Sequence, residues 1–207
     1  MLLLGTTHKR SLIYVLALVC GLLMVGDVQY HSPDEASHKH RTDYEWALTV
    51  ADQFPSAEIT GLDLSPIQPG WVPPNVRFLI DDVEDDWIEG EDYDFINMRH
   101  SCAYLKDVDR LLKNCYDHLN PGGWVEFSDF GGYALCDDGT MPNDYPLNEC
   151  FRLVREAMSK FGTNFLIANE HGAHFERAGF RNIQCRIVKT PIGIWPKVSQ
   201  SFSRPEV

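Results

Sequence analysis

Basic residues are scarce. The 207 residues include 18 Lys and Arg against 30 Asp and Glu, a formal net charge of −12. Charge-driven binding to nucleic acid rests on Lys and Arg neutralising phosphates, and the densest basic run is only Lys39-His40-Arg41. No direct nucleic-acid partner is expected. Zinc-type spacing is also absent. The six cysteines (Cys20, Cys102, Cys115, Cys136, Cys150 and Cys185) form no C-x-x-C and have no histidine at ligand spacing, so no metal site is expected. Such scattered thiols read as reduced cysteines of a cytosolic enzyme, with disulfides the alternative in a secreted chain. No apolar run reaches the roughly 20 residues of a membrane span. Finally, no glycine occurs between Asp27 and Gly61, so that stretch offers no bare backbone for a ligand to approach closely.

What is present suits one globular domain. The 44% apolar and 23% charged content is ordinary for such a chain. The longest apolar run, Leu12 to Val25, follows Lys9-Arg10 and covers 14 residues. It admits three readings: a signal or membrane anchor, a buried strand or helix of the core, or a stretch foreign to the rest of the domain. Residues His31 to Arg41 are polar and read as a linker. This divides the chain into an atypical segment 1–41, a domain 42–197 and a tail 198–207.

From Thr42 or Asp43, either of them a suitable N-cap, the spacing of Trp46, Ala47, Val50, Ala51 and Phe54 predicts a helix closed by Pro55 and Ser56. Strand Ile59–Leu64 follows and delivers Asp63 near its end. A loop with four prolines leads to strand Val76–Ile80, then to the acidic run Asp81 to Glu91. Tyr93 to Met98 is a further strand. A helix over Lys106–Leu119, with Val108, Leu111, Leu112, Cys115 and Leu119 on one face, stops at Asn120-Pro121-Gly122-Gly123. Strand Trp124–Phe127 precedes Asp129. After a Gly- and Asp-rich excursion over Gly131–Pro146, helices are predicted at Leu147–Phe161 and Glu170–Ala178. Gly179 should be a left-handed cap, and Asn182–Val188 a last strand. This alternation implies a parallel α/β sheet with helices on both faces. Two strands with acids at their carboxyl ends suit a nucleotide-type ligand in the crevice beyond them.

The runs ADQFPSAEITGLDLSPIQPGWVPPNVRFLIDDVEDDW, YDFINMR, HLNPGGWVEFSDF, DDGT and KTPIGIWPK resemble the fungal LaeA-like class I S-adenosylmethionine (SAM)-dependent methyltransferases. The resemblance covers roughly Trp46 to Lys197. It implies a Rossmann-like sheet whose first and last strands the sequence leaves undefined, and SAM as cofactor. It assigns the ribose hydroxyls to Asp63, the adenine amino group to Asp82, and a ring contact to the backbone N–H of Val83. The Asn97 to His100 segment, including Arg99, would run beneath the methionine part. It also implies a small-molecule methyl acceptor or a regulatory protein partner in fungal secondary metabolism. A cytoplasmic or nuclear location is expected, with anchoring through residues 12–25 as the other option.

The chain departs from the family where a Gly-rich loop should follow the first strand, about 20 residues before the ribose acid. There it has His40-Arg41-Thr42-Asp43-Tyr44-Glu45. The family pattern also continues beyond PIGIWPK, whereas here SQSFSRPEV follows. Weak or absent SAM binding is therefore one expectation, and a catalytically inactive or truncated relative acting as a binding protein is the alternative function. Methyl transfer needs a base only if the acceptor must lose a proton. His100, just past the fourth strand, is the first candidate, followed by Asp129 and His171.

Overall fold

The computed structural model describes residues 10–15, 43–66, 69–87 and 92–187. Five parallel strands form one sheet: β1 (Arg10–Val15), β2 (Ala57–Asp63), β3 (Val76–Ile80), β4 (Tyr93–Arg99) and β5 (Leu119–Ser128). Their order is β3-β2-β1-β4-β5. The chain reverses its winding between β1 and β4, which opens a crevice at the strand C-termini. Part of the apolar run is thus the central strand. Tyr14 lies opposite Gly61 on one side and Asn97 on the other. The sheet therefore crosses the boundary expected at residue 42. Residues 16–25 lie outside the described residues, and no helix among those described is long and apolar enough to cross a membrane.

Each face of the sheet is covered by its own apolar cluster. Helix α1 (Asp43–Gln53) buries Ala47 and Ala51 against Ala57, Ile59 and Val76, with Trp46, Val50 and Phe54 at the margin. Small residues on α1 let it lie close to the strands. Gly61 serves the same packing, since a Cβ there would sit 2.4 Å from the Phe78 ring. On the opposite face, helix α2 (Val108–His118) buries Val108, Leu111, Leu112 and Cys115 against Ile96 and Met98 of β4. Asp107 caps α2 by accepting the Arg110 N–H at 2.9 Å.

The acidic run after β3 is put to structural use. Glu84 accepts the backbone N–H groups of Lys106 and Asp107 at 2.7 and 2.9 Å, and Asp86 pairs with Arg110 at 2.8 Å. These bonds tie the β3 exit to the start of α2. Helix α4 (His171–Arg177) ends as expected at Gly179, whose φ is 94°. Gly179 N–H reaches Glu176 O, Phe180 N–H reaches Phe175 O, and the Phe175 and Phe180 rings pack at 5.3 Å. That is the full Schellman closure with its apolar contact.

Three expectations need correction. Residues 182–187 of the expected last strand form no strand: Asn182 turns the chain with φ 58°, and the side chains that follow are exposed. Val188 lies outside the described residues. The Asn-Pro-Gly-Gly turn is absorbed into β5 itself, where the register with β4 jumps between Tyr93 and Phe95. Helix α3 (Pro146–Ser159) forms, but its expected apolar face buries no residue fully. Phe151 packs on Phe130 and Phe165, while Cys150 and Ala157 are exposed and Phe161 is 78% exposed.

Candidate functional site

The strand order places the C-terminal ends of β2 and β4 on either side of β1, and both carry a buried polar group with a free atom. Asp63 closes β2 and is 1% exposed. Its Oδ1 accepts the Ser65 N–H at 2.7 Å, whereas Oδ2 is buried without a partner. Burial pushes the Asp63 carboxyl up from its ordinary value, and the Ser65 N–H only partly opposes this. Across β1, Asn97 is 3% exposed and its Oδ1 is likewise buried and unpaired. Buried acceptors without donors are rare and costly. Two of them flanking the central strand form an unsatisfied, electron-rich edge.

The remaining expected ligand contacts lie nearby in the chain with different duties. Asp82 accepts the Glu84 N–H at 2.9 Å, so one of its oxygens shapes the turn after β3. Val83 is buried in the core, and its carbonyl accepts the Trp87 indole N–H at 3.0 Å. Arg99 ends β4 opposite Ser128. Trp87 packs on Tyr93 and His118, whereas Trp71 is exposed. Two apolar side chains stand in solvent at this end of the sheet: Leu64, directly after Asp63, and Ile80, at the end of β3, are 65% and 60% exposed.

A second cluster gathers beyond β4 and β5. Asp129 follows β5, and its side chain is 2% exposed. Its Oδ1 receives the Cys102 N–H at 3.3 Å and its Oδ2 lies 2.8 Å from His171 Nε2. The two expected residues Asp129 and His171 are thus brought together across 42 positions of sequence. His100 is not part of this pair. It sits at φ 52°, in the sparsely populated left-handed region, with its N–H bonded to Ser128 O at 2.8 Å and its Nδ1 buried and unpaired.

Cys102, which sequence reasoning did not single out, completes the cluster. Cys102, Asp129 and His171 hold donor atoms within 4.8 Å of one another. However, His171 and Asp129 use theirs on each other, and the Cys102 S–H donates to Met98 Sδ at 3.3 Å. Burial, and then the Asp129 charge, push the Cys102 thiol well above its ordinary range. The arrangement is a hydrogen-bonded cluster. The five described cysteines are all free.

A parallel sheet in the order 3-2-1-4-5, with a buried acid ending its second strand, defines a nucleotide-type binding protein of the doubly wound class. The methyltransferase-domain family matches residues 41–184, and the chain belongs to that family. The central strand β1 lies outside the matched span.

Among relatives, the methyltransferase pytC of Aspergillus terreus is 42% identical over 73% of this chain and 47% of its own length. The secondary metabolism regulator LAE1 of Cochliobolus heterostrophus is 36% identical over 73% of this chain and 50% of its own. The chain spans about half the length of the curated relatives it matches. Among solved structures, Haemonchus contortus phosphoethanolamine N-methyltransferase 2 in complex with S-adenosyl-L-methionine superposes with a TM-score of 0.52 at 16% identity. The superposition covers 87% of this chain and 35% of that one. At that identity the likeness concerns the fold alone.

Proposed function

We propose that this chain binds SAM along the C-terminal edge of β2, β1 and β4 and transfers its methyl group to a small molecule of fungal secondary metabolism. The observation that carries this is the free Oδ2 of buried Asp63. A buried carboxylate with one oxygen tied to backbone and the other empty suits a vicinal diol, whose hydroxyls donate to it and offset its desolvation. Asn97 Oδ1, on the other flank of β1, is free to accept from an ammonium group at the methionine end. Exposed Leu64 and Ile80 offer apolar surface to a flat base beside the diol. Asp82 and Val83 remain the proposed adenine contacts, and Arg99 a contact near the methionine end.

SAM supplies an electrophilic methyl group on a sulfonium. The protein's part is to hold it in line with an acceptor and to exclude water. The resemblance to a named methyltransferase and to a named regulator supports a role in secondary metabolism, with a regulatory protein partner as the second reading.

The test is thermal unfolding with and without SAM. A ligand present at about 100 times its Kd stabilises by about 2.7 kcal/mol, or about 5–10 °C for a chain of this size. SAM and S-adenosylhomocysteine should both raise the Tm, and methionine should not. An unchanged Tm at millimolar SAM would overturn the proposal.

A further inference from the structure

A cleft of about 410 Å³ opens at the head of helix α3, and none of the SAM contacts proposed above uses it. Tyr145, Glu149, Arg152 and Arg155 are among the residues lining it. The volume suits a ring-sized small molecule. The cleft hangs on the exit of β5. Phe151 of α3 packs on Phe130, two residues past that strand, with ring centroids 5.7 Å apart. One turn further along the same face of α3, Arg155 donates its Nη1–H to Gly132 O at 3.0 Å. Each neighbouring pair of strands is parallel, so the exit of β5 lies at the same end of the sheet as Asp63 and Asn97.

The polar groups of the cleft are unevenly engaged. Arg152 grips the Glu149 carboxylate through Nε and Nη2 at 2.7 and 2.6 Å, and its Nη1 reaches Glu156 at 3.1 Å. Arg155 is half-buried, and the bond to Gly132 is its only hydrogen bond among the described residues. No carboxylate pairs with it. A cation drawn out of water without a counter-charge is costly, and the rest of its planar fork of N–H donors is unengaged. Asp144 also lines the cleft, but it stands exposed, where water weakens its field. The Tyr145 ring is 43% exposed and offers its face to a second ring. In the neighbouring cluster, by contrast, the groups satisfy one another. A carboxylate can only accept, so His171 Nε2 carries the hydrogen of the bond to Asp129.

We propose that Arg155 holds a carboxylate of the methyl acceptor, and that the acceptor is an aromatic carboxylic acid. The inference rests on the SAM-dependent reading above. Two parallel N–H···O bonds from the guanidinium fix the plane and direction of the acid, while Tyr145 stacks on its ring. Arg155 thereby determines specificity. A neutral amide or ester of the same shape would fill the cleft and leave the half-buried guanidinium without its counter-charge. Discrimination against it follows from that unpaired group and not from size.

The experiment is calorimetric titration of the full chain with two matched probes, 4-hydroxybenzoate and its neutral counterpart 4-hydroxybenzamide. Wild type should bind the acid saturably at millimolar concentration, and at least about tenfold more tightly than the amide. Arg155→Gln should lose about that factor on the acid and none on the amide, so that the preference disappears. Arg155→Lys keeps the charge without the fork and should keep part of the preference. SAM affinity should stay at the wild-type value in both variants. The acid should also bind undiminished when S-adenosylhomocysteine is present, because an acceptor must sit beside the cofactor. A merely structural role would lower the Tm and weaken both probes alike. The proposal is overturned by equal binding of acid and amide to wild type, by no saturable binding of the acid, by wild-type affinity for the acid in Arg155→Gln, or by displacement of the acid by S-adenosylhomocysteine. No SAM binding by a wild-type protein that still prefers the acid would instead overturn the methyl-transfer reading beneath it.

Discussion

The two sides of the crevice are built in different ways. On the β2–β3 side, Asp63, Asp82 and Val83 lie within 21 consecutive residues, at strand ends that pair directly with one another. On the β4–β5 side, Cys102, Asp129 and His171 come from three separate segments and meet through only two hydrogen bonds. The first side is local chain geometry, and the second is a product of tertiary packing. Binding chemistry that recurs with one cofactor can be encoded in a strand and its turn. A cluster of the second kind is assembled from wherever the fold brings suitable groups together.

Both sides depend on β1, which separates β2 from β4. Replacing Ile13 by Pro removes a ladder donor in mid-sheet and should take a large share of a domain's roughly 5–15 kcal/mol. Cooperative thermal unfolding, followed by circular dichroism, should be lost or shifted far down. An unchanged transition would break the comparison at its root by showing that residues 10–15 do not join the sheet.

A substitution at Gly61 should separate the sides. In Gly61→Val the new Cβ meets the Phe78 ring, an overpacking worth about 1–3 kcal/mol. SAM affinity should fall with stability, while the His171 Nε2–H tautomer seen by nitrogen NMR persists. Loss of that tautomer as well would show the two sides to be one unit.

Asp63→Asn is expected to act in two directions. Burial raises the Asp63 carboxyl in the folded protein, so its charged form weakens the ligand-free fold. This penalty is full above the folded pKa and vanishes below the unfolded one. The ligand-free Tm of Asp63→Asn should therefore exceed that of wild type at neutral pH, by about 2–4 °C for each kcal/mol relieved. The difference should disappear in acid, and SAM affinity should drop. A lower neutral-pH Tm would mean that the carboxylate is satisfied without ligand.

The smallest effect is expected outside the crevice, where exposed Asp109 clasps His174 at 2.7 Å and Arg177 at 3.0 Å to hold α4 on α2. His174, and then Arg177, lower the Asp109 carboxyl below its usual range. Its contribution is present above the unfolded value and is lost as pH falls through the lowered one. Asp109→Asn should cost no more than about 1 kcal/mol at neutral pH, measured by urea unfolding. A larger loss that also lowered SAM affinity would tie this clip to the crevice.

The same contrast explains what could be read from the chain. The helix over Trp46 to Phe54, strands β2 and β3 and the acid at Asp63 were legible because periodicity and turn chemistry act over a few residues. The α2 face and the Gly179 cap were legible for the same reason. The Asp129–His171 contact was not, since nothing local marks a histidine in Glu170-His171-Gly172 as the partner of an acid 42 positions earlier. Asn182 to Val188 alternates like a strand, yet residues 182–187 pair with neither edge strand of the sheet, β3 or β5. Helix α3 has the apolar spacing of a buried helix, and the spacing does not reveal how much of that face the rest of the chain covers.

If the β2–β1–β4 edge holds SAM, Asp63 is its anchor. Calorimetric titration of SAM into wild type, Asp63→Ala and His171→Gln tests it directly. The account predicts one saturable site in wild type, the same affinity within about twofold in His171→Gln, and a loss of at least about tenfold in Asp63→Ala, since a hydrogen bond to a charged group is worth about 1.5–3 kcal/mol. Equal affinity in Asp63→Ala, or no heat of binding to wild type at millimolar SAM, would contradict it.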